Sequence, residues 1–370
     1  MKRELLKLSI LVIAILGLPF LGLILFDKPL PQYLEFPPKS RYVTHAPFSW
    51  PVFGLFWAFP ITILGPFIWQ AWVAKKRPLD KPASPKYPFP RWGWLGLGLL
   101  ALFWTLAWTR FEWFAPLQEH TFFPLWFSYI LTINAFTTYR RGSCFMKRAP
   151  LRFLLLFPYS ALFWWLFEYL NRFVQNWFYI LPREYTPLEY FFFASLSFST
   201  VLPAVASTAE LARSFSTGAT RFSDAWKIDF GAKPRLMRLP LAFSCAALFL
   251  IGSIPNELYP FLWISPFVVY FSLEIIMKKK PIFPETAQGD WLNVISWALA
   301  ALVCGFFWEM WNYQSLSKWV YKTPYVELFR IFEMPLTGYF GYLPFGLECA
   351  AAIHLYGGGA LVKRIRNSRV

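Results

Sequence analysis

Apolar residues along this chain gather into runs of about 20, separated by short charged or proline-rich breaks, a length that matches the hydrocarbon thickness of a bilayer. These runs predict ten spans, near 5–26, 52–73, 92–109, 122–139, 153–170, 188–212, 239–254, 259–277, 291–311 and 336–361. The expected fold class is all-α: a polytopic membrane helix bundle.

Two stretches read as copies of one another. Glu168, Asn171, Trp177 and Tyr179 recur at the same order and nearly the same spacing as Glu309, Asn312, Trp319 and Tyr321. A carboxylate and an amide three positions apart share one helix face, so each copy carries a polar pair at the end of an apolar span. Pro124, Trp126 and Ser128 before the fourth span are matched, with a one-residue gap, by Pro260, Trp263 and Ser265 before the eighth. Spans three to six are thus expected to correspond to spans seven to ten, as two parallel four-helix repeats preceded by two N-terminal helices. Four helices is an even number, so both halves insert the same way and the pseudo-twofold axis runs along the membrane normal. The organisation expected is 1–91 for two N-terminal helices and a proline-rich cap loop, 92–212 for the first repeat, 213–238 for a basic linker, and 239–370 for the second repeat and a basic tail.

Charge gives the orientation. The chain carries a formal +16, and its Lys and Arg concentrate about three to one on the loops that share a side with the N-terminus. Both termini are expected in the cytoplasm of a bacterial-type inner membrane, and the basic balance reflects topology, which removes nucleic acid as a partner. The partners expected are membrane lipid and a lipid-soluble small molecule. No small-x-small cleavage site follows the first apolar run, so it is expected to be retained as a span. Between the halves, Phe222, Trp226, Ile228 and Phe230 alternate with basic residues and with Asp224 and Asp229. That pattern fits either an interfacial segment on anionic lipid or a flexible linker.

Several familiar chemistries are missing. Cys144, Cys245, Cys304 and Cys349 form no CxxC pair, and His45, His120 and His354 are dispersed, so neither a disulfide framework nor a metal site is indicated and no cofactor is expected. Gly96-x-Gly98-x-x-Ala101 satisfies a dinucleotide fingerprint, but it lies inside an apolar span, where glycines serve helix packing.

Acids at membrane depth are the strongest functional pointers, because a carboxylate there persists only if paired, protonated or employed. Glu348 falls near the middle of span ten, after Gly338, Gly341, Pro344 and Gly346, which are expected to loosen the helix and free carbonyls. Glu168, Glu189, Glu309 and Glu333 lie toward the outer ends of their spans. All four are catalytic candidates, with Asn171, Asn312, Tyr179 and Tyr321 expected to bind substrate beside them; a purely structural role would instead bond the acids to these amides and tyrosines, or to Arg172 and Arg330. Aromatic residues make up 22% of the chain. Interface belts account for many of them, while clusters beside the acids suit the lining of a site.

Pro187-Leu188-Glu189, followed by Tyr190 and three phenylalanines, resembles the integral-membrane lycopene cyclase domain of bacterial heterodimeric and fungal carotenoid cyclases, and Glu333 to Leu336 echoes it. Tyr190 stands where that family has a second acid. The resemblance implies non-redox acid/base cyclisation or isomerisation of an isoprenoid or carotenoid-like substrate. Glu189 and Glu333 would then be acid and base, Glu348 an alternative acid, and Trp164, Trp165, Phe192 and Trp308 lining. Parallel repeats with a mid-membrane acid also describe a proton-coupled transporter that uses Glu348. A membrane scaffold without catalysis is the third class.

Overall fold

The computed structural model describes residues 2–74, 87–215, 222, 225–277 and 281–366. Asp224 and the last four residues of the basic tail lie outside the described residues. The helices longer than one turn are α1 (Lys2–Val12) and α2 (Leu18–Leu25), joined by a π-helical turn, then α3 (Trp50–Ala74), α4 (Arg91–Trp108), α5 (Phe122–Arg141) and α6 (Pro150–Val174). After these come α7 (Pro187–Phe198), α8 (Val201–Ser214), α9 (Arg238–Leu250), α10 (Ser265–Ile276), α11 (Leu292–Tyr313) and α12 (Tyr342–Arg366). Four short strands complete the fold: β1 (Trp177–Ile180), β2 (Lys318–Tyr321), β3 (Arg330–Ile331) and β4 (Met334–Pro335).

Polarity along the helices is inverted relative to a soluble protein. On α6, Leu151 and Leu162 are 67% and 70% exposed, while Ser160, Glu168 and Asn171 are buried. Water would not tolerate that arrangement over many helices, and lipid requires it. The chain is a helical membrane protein. Among the described residues, five helices are long and apolar enough to cross a bilayer, and up to seven if each of two bent pairs counts as one span. The expected ten spans exceed this number for a geometric reason. With 13 and 12 residues, α9 and α10 reach only about 20 and 18 Å, short of a hydrocarbon core of about 30 Å. The middle of α5 fails on polarity instead, with Ser128, Thr132, Asn134, Thr137 and Thr138 all buried.

The core is built around α8, which is buried along nearly its whole length. Its small residues Ala204, Ala206 and Ala209 let neighbouring backbones approach, and its hydroxyls stitch it to α5. Asn134 Nδ2 donates to Ser207 Oγ at 2.8 Å, and Tyr129 Oη lies 2.8 Å from Thr208 Oγ1. Ser199 Oγ and Thr200 Oγ1 donate to Leu196 O and Ser197 O at 2.6 and 2.8 Å. Ser160 of α6 bridges the break between α7 and α8, donating to Phe198 O at 2.7 Å and accepting from Leu202 N at 2.9 Å.

Glycines seat several helices. A Cβ at Gly22 would meet Phe249 O at 1.8 Å, and one at Gly346 would meet Trp297 O at 2.2 Å. Gly96 sits against Thr132 in the expected packing role, whereas Gly98 faces open space. The glycine-rich stretch before Glu348 does not break a helix. Gly338 and Gly341 belong to a 3-10 turn, Leu336–Gly341, and α12 begins at Tyr342 and runs unbroken past Glu348.

The linker is partly ordered against the segment before α11. Ala225 N donates to Gly289 O, Ile228 N to Thr286 O, and Trp291 Nε1 to Trp226 O, at 2.9, 2.9 and 2.8 Å. Gly289 has φ of +87°, a backbone conformation that suits glycine, and a Cβ there would meet Ala225 O at 2.6 Å.

Residues 29–49 form a cap over the end of the bundle that carries the strands. Gln175 Oε1 accepts from Tyr42 N and Val43 N at 2.9 and 3.0 Å, and Asn256 accepts from Ala46 N and donates to Thr44 O. His45 Nε2 lies 3.0 Å from Val174 O while its Nδ1 is buried without a partner, so the ring is held neutral with Nε2 donating. Burial lowers the His45 pKa below the usual histidine range. The folded chain therefore holds fewer protons here than the unfolded chain. This contribution to stability is complete above about pH 6.5 and is lost as the pH falls below it. Protection factors, which correct for the slower intrinsic exchange in acid, are expected to fall below about pH 6 at the amides of Tyr42, Val43 and Ala46 more in the wild type than in His45→Gln. An equal fall in both would remove His45 as the cause.

Candidate functional site

The two copies of the motif meet. β1 and β2 pair antiparallel in the register Trp177↔Tyr321, Phe178↔Val320, Tyr179↔Trp319 and Ile180↔Lys318. Each tryptophan of one copy thus stands opposite the tyrosine of the other.

The helix-end residues hold these strands by a division of labour. α6 ends where Gln175 takes a left-handed conformation, φ 48°, and turns the chain back toward the bundle. There Asn171 Oδ1 accepts from Asn176 N at 2.8 Å and Asn171 Nδ2 donates to Trp177 O at 2.8 Å. In the second copy Asn312 Oδ1 accepts from Trp319 N at 2.9 Å and Nδ2 donates to Trp319 O at 2.7 Å. The amides therefore fix backbone, and the carboxylates one turn earlier fix side chains. Glu168 Oε1 accepts from Trp164 Nε1, Trp177 Nε1 and Tyr179 Oη at 3.0, 3.0 and 2.6 Å. Glu309 Oε1 accepts from Tyr321 Oη and Tyr342 Oη, both at 2.7 Å, while Trp319 Nε1 donates to Tyr321 Oη at 2.9 Å. Glu309 Oε2 is buried with no hydrogen-bond partner.

Beneath the strands lies a cavity of about 1620 Å³, bounded by α3 on one side and the bundle on the other. Its wall is overwhelmingly apolar and aromatic, with Trp164, Trp177, Trp263 and Trp308 presented to it. Tyr179, Tyr321 and Tyr342, the phenols bonded to the two buried glutamates, also line it. Among the described residues Glu119 is the carboxylate on its wall, paired with His120 at 3.2 Å and Arg183 at 3.2 Å.

The other expected site residues lie off the cavity wall. Glu189 is the third residue of a capping box on Thr186 at the start of α7 and pairs with Arg183 at 3.2 Å. Glu333 pairs with Lys318 at 2.6 Å. Both are thus held by cations, and neither lines the cavity. Trp165 donates to Ser195 Oγ at 2.9 Å and stacks on Phe191, and Phe192 is 60% exposed, so these rings face away from the cavity. Arg172 and Arg330 do not serve Glu168 or Glu309. Arg172 donates to the Glu35 carbonyl and Arg330 to Glu327. Glu348 is 2% exposed and accepts one hydrogen bond, from Phe267 N at 3.3 Å, while its Oε2 has no partner.

Trp177 and Trp319 are visible in the sequence as parts of the motif, but the bonds of Trp177 to Glu168 and of Trp319 to Tyr321 are not. Tyr342 had no local signal, since it reaches Glu309 across 33 positions. Among the described residues no three His, Cys, Asp or Glu side chains converge. No family model, curated protein or solved structure matches the chain.

Proposed function

We propose that this protein is an integral-membrane enzyme that takes an isoprenoid or carotenoid-like lipid into the cavity and cyclises or isomerises it by non-redox acid/base chemistry. The observation that carries this is the large aromatic cavity with carboxylate-bonded phenols on its wall. Protonating a double bond requires an acid away from water and a surface that tolerates a cation. A proton on Glu309 has a short route to the cavity through Tyr321 or Tyr342. The faces of Trp164, Trp177, Trp263 and Trp308 are suited to a carbocation. Glu309 is favoured over Glu189 and Glu333, whose bonds to Arg183 and Lys318 hold them as ion pairs.

The symmetric pairing of β1 with β2 supports two parallel repeats about a pseudo-twofold axis. With α1 and α2 as one segment and α7 and α8 as another, the helices follow the expected order of ten membrane segments, α9 and α10 being too short to cross singly, and this reading keeps both termini cytoplasmic in a bacterial-type inner membrane.

Cells that accumulate acyclic carotenoids, hydrocarbon and oxygenated, are expected to convert them to ring-containing isomers of equal mass when the chain is expressed. Glu309→Gln is expected to slow conversion by about 10²–10⁴-fold. Unchanged pigment in the presence of folded wild-type protein would end the proposal. One observation favours a second reading, a proton-coupled carrier: the buried, singly bonded Glu348. Proton-driven flux in proteoliposomes that vanishes in Glu348→Gln would select it.

A further inference from the structure

The cavity wall is not uniformly apolar. Four of its residues, Asn176, Tyr259, Thr323 and Thr337, are 2%, 6%, 9% and 4% exposed, and each has side-chain polar atoms with no hydrogen-bond partner. They come from separate segments at the strand end of the bundle. Asn176 precedes β1, Thr323 follows β2, Thr337 lies in the 3-10 turn after β4, and Tyr259 opens the 3-10 turn Tyr259–Leu262. The backbone of Asn176 is already fixed on both sides, its N–H by Asn171 Oδ1 and its carbonyl by Lys322 N, both at 2.8 Å, while its amide Nδ2 and Oδ1 are both left over. Polar atoms buried without partners are costly, most of all in a membrane protein, and so many on one cavity wall point to a ligand that completes them.

The ligand's chemistry follows from what surrounds them. The amide and hydroxyls offer both donors and acceptors, so they fit a hydroxyl or carbonyl group. The ionic groups on the wall already have partners: Glu119 lies 3.2 Å from Arg183 and from His120 Nε2, and Lys318 lies 2.6 Å from Glu333. Among the described residues on the wall, the one Lys or Arg is Lys318, and Glu333 already holds it, so no free cation awaits a phosphate or carboxylate there. The remainder of the wall suits a long hydrocarbon tail.

Building on the lipid-binding role proposed above, we infer that the cavity is selective for an amphiphile with an uncharged, oxygen-bearing head, bound by Asn176, Tyr259, Thr323 and Thr337, and an apolar tail lying along α3.

Equilibrium binding to the full chain in nanodiscs, measured above empty nanodiscs with radiolabelled probes, tests this with three ligands that share a tail: phytene, phytol and phytyl phosphate. Phytol is expected to bind at least about tenfold more tightly than phytene, because a site built to hydrogen-bond a hydroxyl discriminates strongly against its absence. Phytyl phosphate is expected to bind no more tightly than phytol. Thr323→Val and Thr337→Val, which keep the side-chain shape, are each expected to weaken phytol binding while leaving phytene unchanged. Each is also expected to raise the thermal midpoint of the ligand-free protein, a gain that a hydroxyl with a purely structural role would not give. Equal affinity for phytene and phytol would overturn the polar subsite and leave the lipid cavity standing. Tightest binding of the phosphate would overturn the uncharged head, and no binding of any probe above empty nanodiscs would overturn subsite and cavity together.

Discussion

Alanine at Glu168 is expected to cost about 3–5 kcal/mol of stability, because it strands three donors that the carboxylate oxygen now gathers. The losses are Trp164 Nε1, Trp177 Nε1 and Tyr179 Oη, each directed at Glu168 Oε1. Each buried donor left without an acceptor costs about 1–3 kcal/mol, and the sum is placed toward the lower end because the neighbours can relax. Glu168→Gln keeps an acceptor oxygen in place and is expected to cost much less, about 1 kcal/mol. Glu309→Ala strands two phenols and should fall between the two, at about 2–4 kcal/mol. Thermal unfolding of the purified protein, followed by near-ultraviolet circular dichroism of the tryptophans, gives the order. A Glu309→Ala loss exceeding that of Glu168→Ala would contradict the donor count. Since β1 pairs with β2, the double alanine variant is expected to lose less than the sum of the singles, as coupled sites do.

Lys7→Met is expected to destabilise the docking of α1 by about 3–5 kcal/mol, the usual cost of leaving one partner of a buried ion pair alone. Lys7 Nζ lies 2.5 Å from Glu274 Oε1, with the two side chains 6% and 3% exposed. The two partners are not equivalent. Removing Lys7 leaves Glu274 as a buried charge with no other ion pair among the described residues. Removing Glu274 leaves Lys7 with Glu4 at 2.9 Å, a partner whose side chain is 46% exposed. Glu274→Leu should therefore be milder than Lys7→Met, and the double replacement should recover most of the loss, because a well-packed apolar pair often matches a buried ion pair in stability. Limited proteolysis near residue 28 measures release of the N-terminal helices. Equal susceptibility of both single variants would show that Glu4 contributes nothing.

The membrane class, the helical content and the approximate position of each helix were legible in the sequence, because hydropathy over a window is a local quantity. The motif pair was legible for the same reason, since a Glu and an Asn three apart must share a face wherever a helix forms. The site around them was legible only in part. Tyr179 and Tyr321 lie close enough in sequence to bond the glutamates preceding them. Glu189, by contrast, resembled a catalytic acid at a helix start, but a glutamate three residues after Thr186 is also a capping-box residue, and that local bond is the one it makes. The glycines before Glu348 suggested a broken helix, yet Gly346 is spent on close approach to Trp297. A glycine in sequence does not distinguish flexibility from close packing, since both need only the missing Cβ.

By itself the sequence determined that this chain lives in a membrane as a bundle of helices, and that a Glu, Asn, Trp and Tyr set occurs twice. Both follow from periodicity and spacing along the backbone. Tertiary structure alone decided that the two sets join through β1 and β2, that Tyr342 reaches Glu309, that α3 stands off the bundle to enclose a cavity, and that Asn176, Tyr259, Thr323 and Thr337 meet its wall without partners. Those outcomes depend on which helix faces approach one another across long stretches of chain, and that choice is made by packing summed over the whole bundle.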